Sequence, residues 1–285
     1  MADVIAFANQ KGGVGKTTSA INVAACLAEK NRKTLLIDCD PQGNASSGVG
    51  LPPSERSPNL YDVMSGECAL RDACRPTAWP NLWALPSSID LIAGEIEFQD
   101  DPRKFHLLAD ALNGRTTGFD FIVLDAPPSL GLLALNVLVA ATDLIVPVQA
   151  EYYALEGLTL LSETLRRVRS SMNPRLNLLG ILLTMIDRRT NLCRQVEDEV
   201  RAHFGGKVFQ VVINRSVRLG EAPSHGQPII AYEPEGRSSQ DYRFLVEEIL
   251  RIKRFAQPTG APPVQPVGTD PPAPAKLEPP QGLNF

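Results

Sequence analysis

Cysteine is scarce: Cys26, Cys39, Cys68, Cys74 and Cys193 are the five in 285 residues, an odd and scattered set without C-x-x-C spacing. That spacing excludes a disulfide frame, a zinc site and an iron–sulfur ligand set, and it reads as reduced thiols of a cytosolic protein. Histidine numbers three, and no Ser/His/Asp or Cys/His arrangement accompanies it. His106 and His203 fall in helical patterns and His225 in a turn segment. No apolar run reaches the roughly 18 residues of a membrane span, so no transmembrane helix is expected. The opening residues Met1-Ala2-Asp3-Val4 offer neither a basic region nor a cleavage signal, so secretion is not expected. Positive charge is not in excess either. The 28 basic and 32 acidic side chains leave −4, which counts against a uniformly basic nucleic-acid binder.

What is present is a chain 44% hydrophobic and 21% charged, enough to bury a sizeable core. Its charge is unevenly spread. Residues 166–218 hold eleven Lys/Arg, ten of them Arg, against four Asp/Glu, a local +7 that leaves −11 for the rest. A basic zone on an acidic body suits contact with a polyanion through one surface, although helices also carry solvated arginines. Composition breaks near Ala256, beyond which lie nine of the 24 prolines. Residues 256–285 are therefore expected to be a disordered proline-rich tail, and residues 1–255 the folded domain.

Within 1–255, apolar β-rich runs alternate with helical patterns. Val4–Ala8, Thr34–Ile37, Phe119–Leu124, Leu144–Val148, Leu178–Thr184 and Val208–Ile213 read as strands covered on both faces. Lys16–Lys30, Gly131–Ala141, Leu155–Met172, Asn191–Phe204 and Ser239–Phe255 read as helices. The alternation implies a single α/β domain with a mostly parallel sheet and helices on both faces. Ligands then lie outside the carboxyl ends of the strands. Residues 41–115 are less regular and are expected to form an insertion on the same domain.

The strongest motif follows the first strand: Asn9-Gln10-Lys11-Gly12-Gly13-Val14-Gly15-Lys16-Thr17-Thr18. Strand, glycine-rich loop and helix are the context of a phosphate-binding P-loop. The glycines let backbone N–H groups approach phosphate oxygens at a helix N-terminus, whose partial positive charge favours an anion. Lys16 is expected on the β/γ-phosphates and the Thr17 hydroxyl on Mg²⁺. Gln10 replaces the ordinary first glycine and Lys11 follows it, giving the deviant Walker A form K-G-G-x-G-K-T. The candidate phosphate-binding set is thus Lys11, Gly12, Gly13, Val14, Gly15, Lys16, Thr17 and Thr18.

Two apolar strands end in carboxylates. One closes Leu36-Ile37-Asp38-Cys39-Asp40 and the other Val123-Leu124-Asp125-Ala126-Pro127-Pro128. The second is a Walker B arrangement, in which the aspartate acts on Mg²⁺. Either aspartate alone could cap a helix or shape a turn. Two of them feeding the edge where the loop lies favour a metal role.

Together these residues resemble the ParA/Soj-type chromosome-partitioning ATPases of the deviant Walker A group, relatives of MinD. The resemblance runs from about residue 3 to 250 and includes Arg189-Thr190-Asn191-Leu192 and Glu221-Ala222-Pro223-Ser224-His225-Gly226. It implies a slow, partner-stimulated ATPase with ATP and Mg²⁺ and an ATP sandwich homodimer in which Lys11 reaches the partner's nucleotide. It implies Asp40 positioning the attacking water, Asp38 near the Mg²⁺ shell, and base contacts at Asn214 and Arg215. The family's I-P-R-N segment reads Ile213-Asn214-Arg215-Ser216 here, a departure from its pattern. The resemblance further implies non-specific double-stranded DNA binding through Arg189 and Arg218, a ParB-type centromere-binding partner, and a cytoplasmic, nucleoid-associated protein with no membrane contact. Arg188, Arg194 and Arg215 are weaker additions to the DNA face.

A MinD-like membrane ATPase is the principal rival, because the last helix pattern, Tyr242 to Phe255, combines an apolar stripe with a basic end. A helix packed on the sheet, followed by a proline-rich tail, explains that stripe more economically. A metabolic or redox enzyme on the same scaffold would need paired cysteines or a substrate pocket, and neither is legible.

Overall fold

The computed structural model describes residues 2–116, 118–151 and 154–256. Among them seven strands form one sheet: β1 (Asp3–Phe7), β2 (Thr34–Asp38), β3 (Arg75–Pro76), β4 (Leu82–Leu85), β5 (Phe121–Asp125), β6 (Asp143–Gln149) and β7 (Asn177–Thr184). Their order is β3-β4-β2-β5-β1-β6-β7. Only the β3–β4 pairing is antiparallel. The helices are α1 (Lys16–Glu29), α2 (Asn44–Gly48), α3 (Leu60–Ser65), α4 (Leu70–Ala73), α5 (Asp90–Glu97), α6 (Leu107–Leu112) and α7 (Leu132–Ala140). They continue with α8 (Ala154–Ser171), α9 (Asn191–Phe204), α10 (Arg218–Glu221), α11 (Ile229–Tyr232) and α12 (Arg237–Ala256).

Alternation along each strand splits the core into two layers, because successive side chains point to opposite faces. Ile5, Phe7, Leu36, Val123 and Ile145 meet α1 and α12 through Ala20, Ala24, Tyr242 and Leu245. Ala6, Leu35, Ile37, Ile122 and Leu124 meet the other face with Leu133, Val137 and Leu161. Helices thus cover both faces of a mostly parallel sheet, as the periodicity implied. Four buried alanines (Ala20, Ala24, Ala25 and Ala28) favour the helix and let α1 sit close against the strands. The strand order reverses around β1, which lies between β5 and β6. The carboxyl ends of β1, β5 and β2 therefore border the crevice where such sheets hold ligands.

Two expectations need correction. Val208–Ile213 is not a regular strand; its ladder pairing with β7 and the residues beyond it is limited to isolated bridges at Val208 and Asn214. Phe209 N and Ile213 N donate to the Ile181 and Leu183 carbonyls. Between them, Gln210 N and Val211 N donate to the two oxygens of Glu248 instead, at 2.8 and 3.0 Å. A carboxylate from α12 has taken the groups a ladder would need. Residues 41–115 are also more than an insertion: they supply β3 and β4, and β4 pairs in parallel with β2.

The apolar stripe of α12 is absorbed by the core, with Tyr242, Leu245, Val246 and Ile249 buried. Among the described residues no helix is long and apolar enough to cross a membrane. The proline-rich tail expected over 256–285 lies, from residue 257, outside the described residues.

Candidate functional site

The loop between β1 and α1 is shaped by two left-handed glycines, Gly13 at φ 74° and Gly15 at φ 85°. An L side chain is strained at either position. Three contacts fix the loop. Asn9 Nδ2 donates to Pro147 O at 2.7 Å, Lys11 N donates to Asn9 Oδ1 at 3.1 Å, and Thr184 Oγ1 donates to Val14 O at 2.9 Å. Lys16 is buried, and its ammonium reaches back over the loop to Lys11 O at 3.0 Å. Burial lowers the pKa of Lys16, and the charges of Asp125 and Asp40 offset part of that. Lys11 lies at the rim, with its Nζ 2.6 Å from Glu151 Oε2 of the same chain.

Asp38 and Asp125 stand at the same register on neighbouring strands, at the carboxyl ends of β2 and β5. Their surroundings differ. Asp38 Oδ2 accepts from Ser46 N and Ser46 Oγ, both at 2.7 Å, and Oδ1 accepts from Asp40 N at 3.2 Å. Burial still pushes Asp38 up to about 6 against those bonds. Asp125 is wholly buried, and neither carboxylate oxygen has a hydrogen-bond partner. Burial, and then the charge of Asp38, raises Asp125 well above the carboxylate range. The nearby Thr17 hydroxyl offsets part of this, although no hydrogen bond of normal geometry forms. An orphaned buried carboxylate is costly unless a cation occupies its lone pairs.

These oxygens fit a hard divalent cation. Thr17 and Asp125, with Asp38 alongside, would hold Mg²⁺, which takes one or two carboxylates and keeps much of its water. Among the described residues no group of three or more His, Cys, Asp or Glu has metal-holding geometry. Asp40 lies two residues beyond Asp38, and its Oδ1 accepts from Gln42 N at 3.0 Å. Ser87, just after β4, donates its Oγ to Asp40 O at 2.6 Å, and its N–H to Ser46 Oγ. Sequence reading missed Ser46 and Ser87. The signal was the short apolar run Leu82–Leu85 ending in Pro86-Ser87, a fourth strand feeding the same edge.

A cavity of about 370 Å³ opens over the loop, bounded by Gly12, Lys16, Thr17, Asp40, Gln42 and Pro128 among others. A neighbouring cavity of about 220 Å³ shares Gly15, Thr18 and Met185 with it and is walled by Ile213, Asn214, Arg215 and Tyr242. Asn214 is fixed there by Asp241, whose Oδ2 accepts from Asn214 Nδ2 at 2.8 Å. Behind that wall lies a cleft of about 610 Å³ lined by Arg188, Arg189, Arg215 and Arg237, with Asp187 the sole acidic residue of its lining. Arg189 is held by Asp187 through two bonds, of 2.6 and 2.8 Å, which draw the aspartate down to about 2. Arg218 pairs with Glu221 at 2.8 Å, one residue from Val217 on the cleft wall. The structure therefore brings Arg189 and Arg215 together and sets Arg218 beside them. Arg237 is an addition the sequence did not single out.

A phosphate-cradling loop, a buried lysine and paired strand-end aspartates on this sheet define a P-loop nucleotide-binding protein of the deviant Walker A type. A family model described as an AAA domain matches residues 2–178. The chain is 47% identical over 260 residues to the chromosome partitioning protein ParA of Caulobacter vibrioides (strain NA1000 / CB15N), covering 90% of this chain and 97% of that protein. It is 51% identical over 246 residues to the chromosome-partitioning ATPase Soj of Thermus thermophilus, covering 86% of this chain and 94% of that one. Among solved structures, cobyrinic acid a,c-diamide synthase from Mycobacterium smegmatis with bound ADP and magnesium superposes with a TM-score of 0.79 at 33% identity. That match covers 92% of this chain and all of the other. The chain belongs to the ParA/Soj family of chromosome-partitioning ATPases.

Proposed function

We propose that the chain is an ATP-hydrolysing dimerisation switch that holds DNA without sequence preference and lets it go on hydrolysis. The observation that carries the catalytic half is Asp125, buried and unpartnered beside Thr17 and Asp38. That set calls for a cation beneath a triphosphate cradled by Lys11–Thr18. Bound Mg²⁺ would neutralise developing charge between the β- and γ-phosphates. Lys16 supplies positive charge to the same oxygens. Asp40, held by Ser87 and Gln42, orients the attacking water. Asn214 and Arg215 bound the nucleoside side. The M. smegmatis relative with bound ADP and magnesium supports the choice of ligands.

Lys11 supplies the switch. In the single chain it is neutralised by Glu151, and both side chains are half-exposed. In the dimer it exchanges that carboxylate for the nucleotide of the other copy, as an arginine finger does. The family name supports a partitioning role in which a ParB-type protein stimulates turnover. The phosphate contacts of Arg189 and Arg218 are doubled in the dimer. Sedimentation with ATP, with ADP and without nucleotide, in the presence and absence of duplex DNA, tests the reading. Dimers and DNA retention are expected only with ATP. Lys11→Ala should keep ATP binding and lose dimerisation and turnover, whereas Asp40→Ala should accumulate the ATP-bound dimer. A chain that stays monomeric in saturating ATP and Mg²⁺ would overturn it.

A further inference from the structure

The cavity of about 220 Å³ beside the phosphate loop has a largely apolar wall of Met185, Ile213, Leu219 and the Tyr242 ring. The Tyr242 hydroxyl is already engaged in the interior, 3.2 Å from Ser19 Oγ. An apolar slot of this kind leaves orientation and selectivity to a few fixed polar groups. Asn214 is such a group. Its backbone is braced on both sides, because Ile186 N donates to Ile213 O and Arg215 N donates to Ile186 O, each at 3.1 Å. Its side chain is fixed from α12. Asp241 Oδ2 accepts from Asn214 Nδ2 at 2.8 Å and, at 3.4 Å, from Asn214 N.

A side-chain amide can be turned over about its last torsion, exchanging an acceptor for a donor with almost no change in shape. Asp241 removes that freedom. A carboxylate accepts and does not donate, so the NH₂ faces Asp241 and the carbonyl faces away from it. Among the described residues Asn214 Oδ1 takes no hydrogen bond, so the end of the amide left for a ligand is an acceptor. Asp241 itself does not line the cavity and acts through Asn214. Proline, which the family's I-P-R-N pattern places at position 214, could make neither bond to Asp241, so the pair is a feature of this chain.

Adenine presents an amino donor at its 6-position, whereas guanine and hypoxanthine present a carbonyl there. Against a fixed acceptor the amino group is paired. A carbonyl sets oxygen against oxygen and leaves both without a partner, which costs more than the missing bond alone. We infer that Asn214, its amide turned by Asp241, reads the 6-position of the purine and makes the chain select adenine over guanine nucleotides. Asp241 is the positioning residue. The inference rests on the ATP-binding reading above and assigns the selectivity of that same site.

The test titrates the full chain with ATP, inosine triphosphate and purine riboside triphosphate by calorimetry in the presence of Mg²⁺. Inosine triphosphate carries a carbonyl at the 6-position, and purine riboside triphosphate carries only hydrogen there. The parent should bind ATP roughly tenfold or more tighter than either. Asn214→Ala should bring the three affinities within about threefold of one another. Asp241→Asn keeps the shape and lets residue 241 donate, so Asn214 can turn its NH₂ to the base. The preference should then move toward inosine triphosphate by roughly tenfold. Thermal melting checks that each variant folds. Equal binding of the three nucleotides by the parent overturns the inference without any variant. An unchanged ratio in Asn214→Ala, with every affinity lowered alike, makes the residue a structural prop and overturns it too. A ratio lost in Asn214→Ala but kept in Asp241→Asn overturns the role of Asp241. Binding of no nucleotide by the parent would sink the ATP-binding reading itself, a result distinct from unselective binding.

Discussion

Asp125 concentrates the cost of the site in one side chain. A carboxylate buried without a hydrogen bond sacrifices roughly 1–3 kcal/mol or more, which ligand binding can recover. Asp125→Asn keeps the shape and removes the charge, so the nucleotide-free protein should melt higher, by about 2–4 °C per kcal/mol regained in a domain of this size. The same variant should lose Mg²⁺-dependent stabilisation by nucleotide, and calorimetry reads both. Asp187 gives a second, independent check. Hydrogen bonds from Arg189 favour its charged form and draw it to about 2. A depressed carboxyl pKa means the pair helps the folded state above the ordinary carboxylate range and ceases to as pH falls toward that value. In Arg189→Ala the Asp187 midpoint should return to the usual range, seen by carbon-detected NMR titration.

Among elements, the segment after α9 shows how a ladder can be given up for a brace. Glu248 on α12 holds the Gln210 and Val211 amides, and the same segment carries Asn214 into the cavity beside the phosphate loop. Glu248→Ala leaves two amides without acceptors and should cost roughly 2 kcal/mol in urea denaturation, since bonds to charged groups are worth about 1.5–3 kcal/mol each but water repays part. Gly180 in β7 is covered by the Phe209 ring, which a Cβ would meet at 2.6 Å. Gly180→Ala should therefore destabilise by about 1–3 kcal/mol through overpacking. The strands bearing the site were legible because β1, β2 and β5 are continuous apolar runs that each end in a loop or a carboxylate. β4 was not, because Leu82–Leu85 is only four residues long and its place beside β2 is a tertiary fact. Val208–Ile213 misled for the opposite reason: its apolar pattern satisfies burial while a distant glutamate decides its hydrogen bonds.

At the scale of the whole molecule, three arginines of the +7 zone meet a fourth from beyond it in one cleft. Arg188, Arg189, Arg215 and Arg237 line it from three separate stretches of chain, and Arg218 lies beside it. Arg218 is engaged with Glu221, so on the proposed reading a DNA phosphate would have to compete with that carboxylate. Arg218→Ala should weaken all duplex sequences alike and flatten the salt dependence of retention by about 0.9 for each phosphate no longer neutralised. Sequence-selective weakening would assign the cleft another ligand. The family residues carried Arg189 and Arg218, but Arg237 came only with the fold, because α12 begins there at the cleft mouth. Asn214, Arg215 and Ser216 stand between that cleft and the smaller cavity beside the phosphate loop, lining both. They form a party wall one chain thick, so on the proposed reading a tenant on either side would lean on the other's room, and news of the base would need no longer corridor to reach the polyanion.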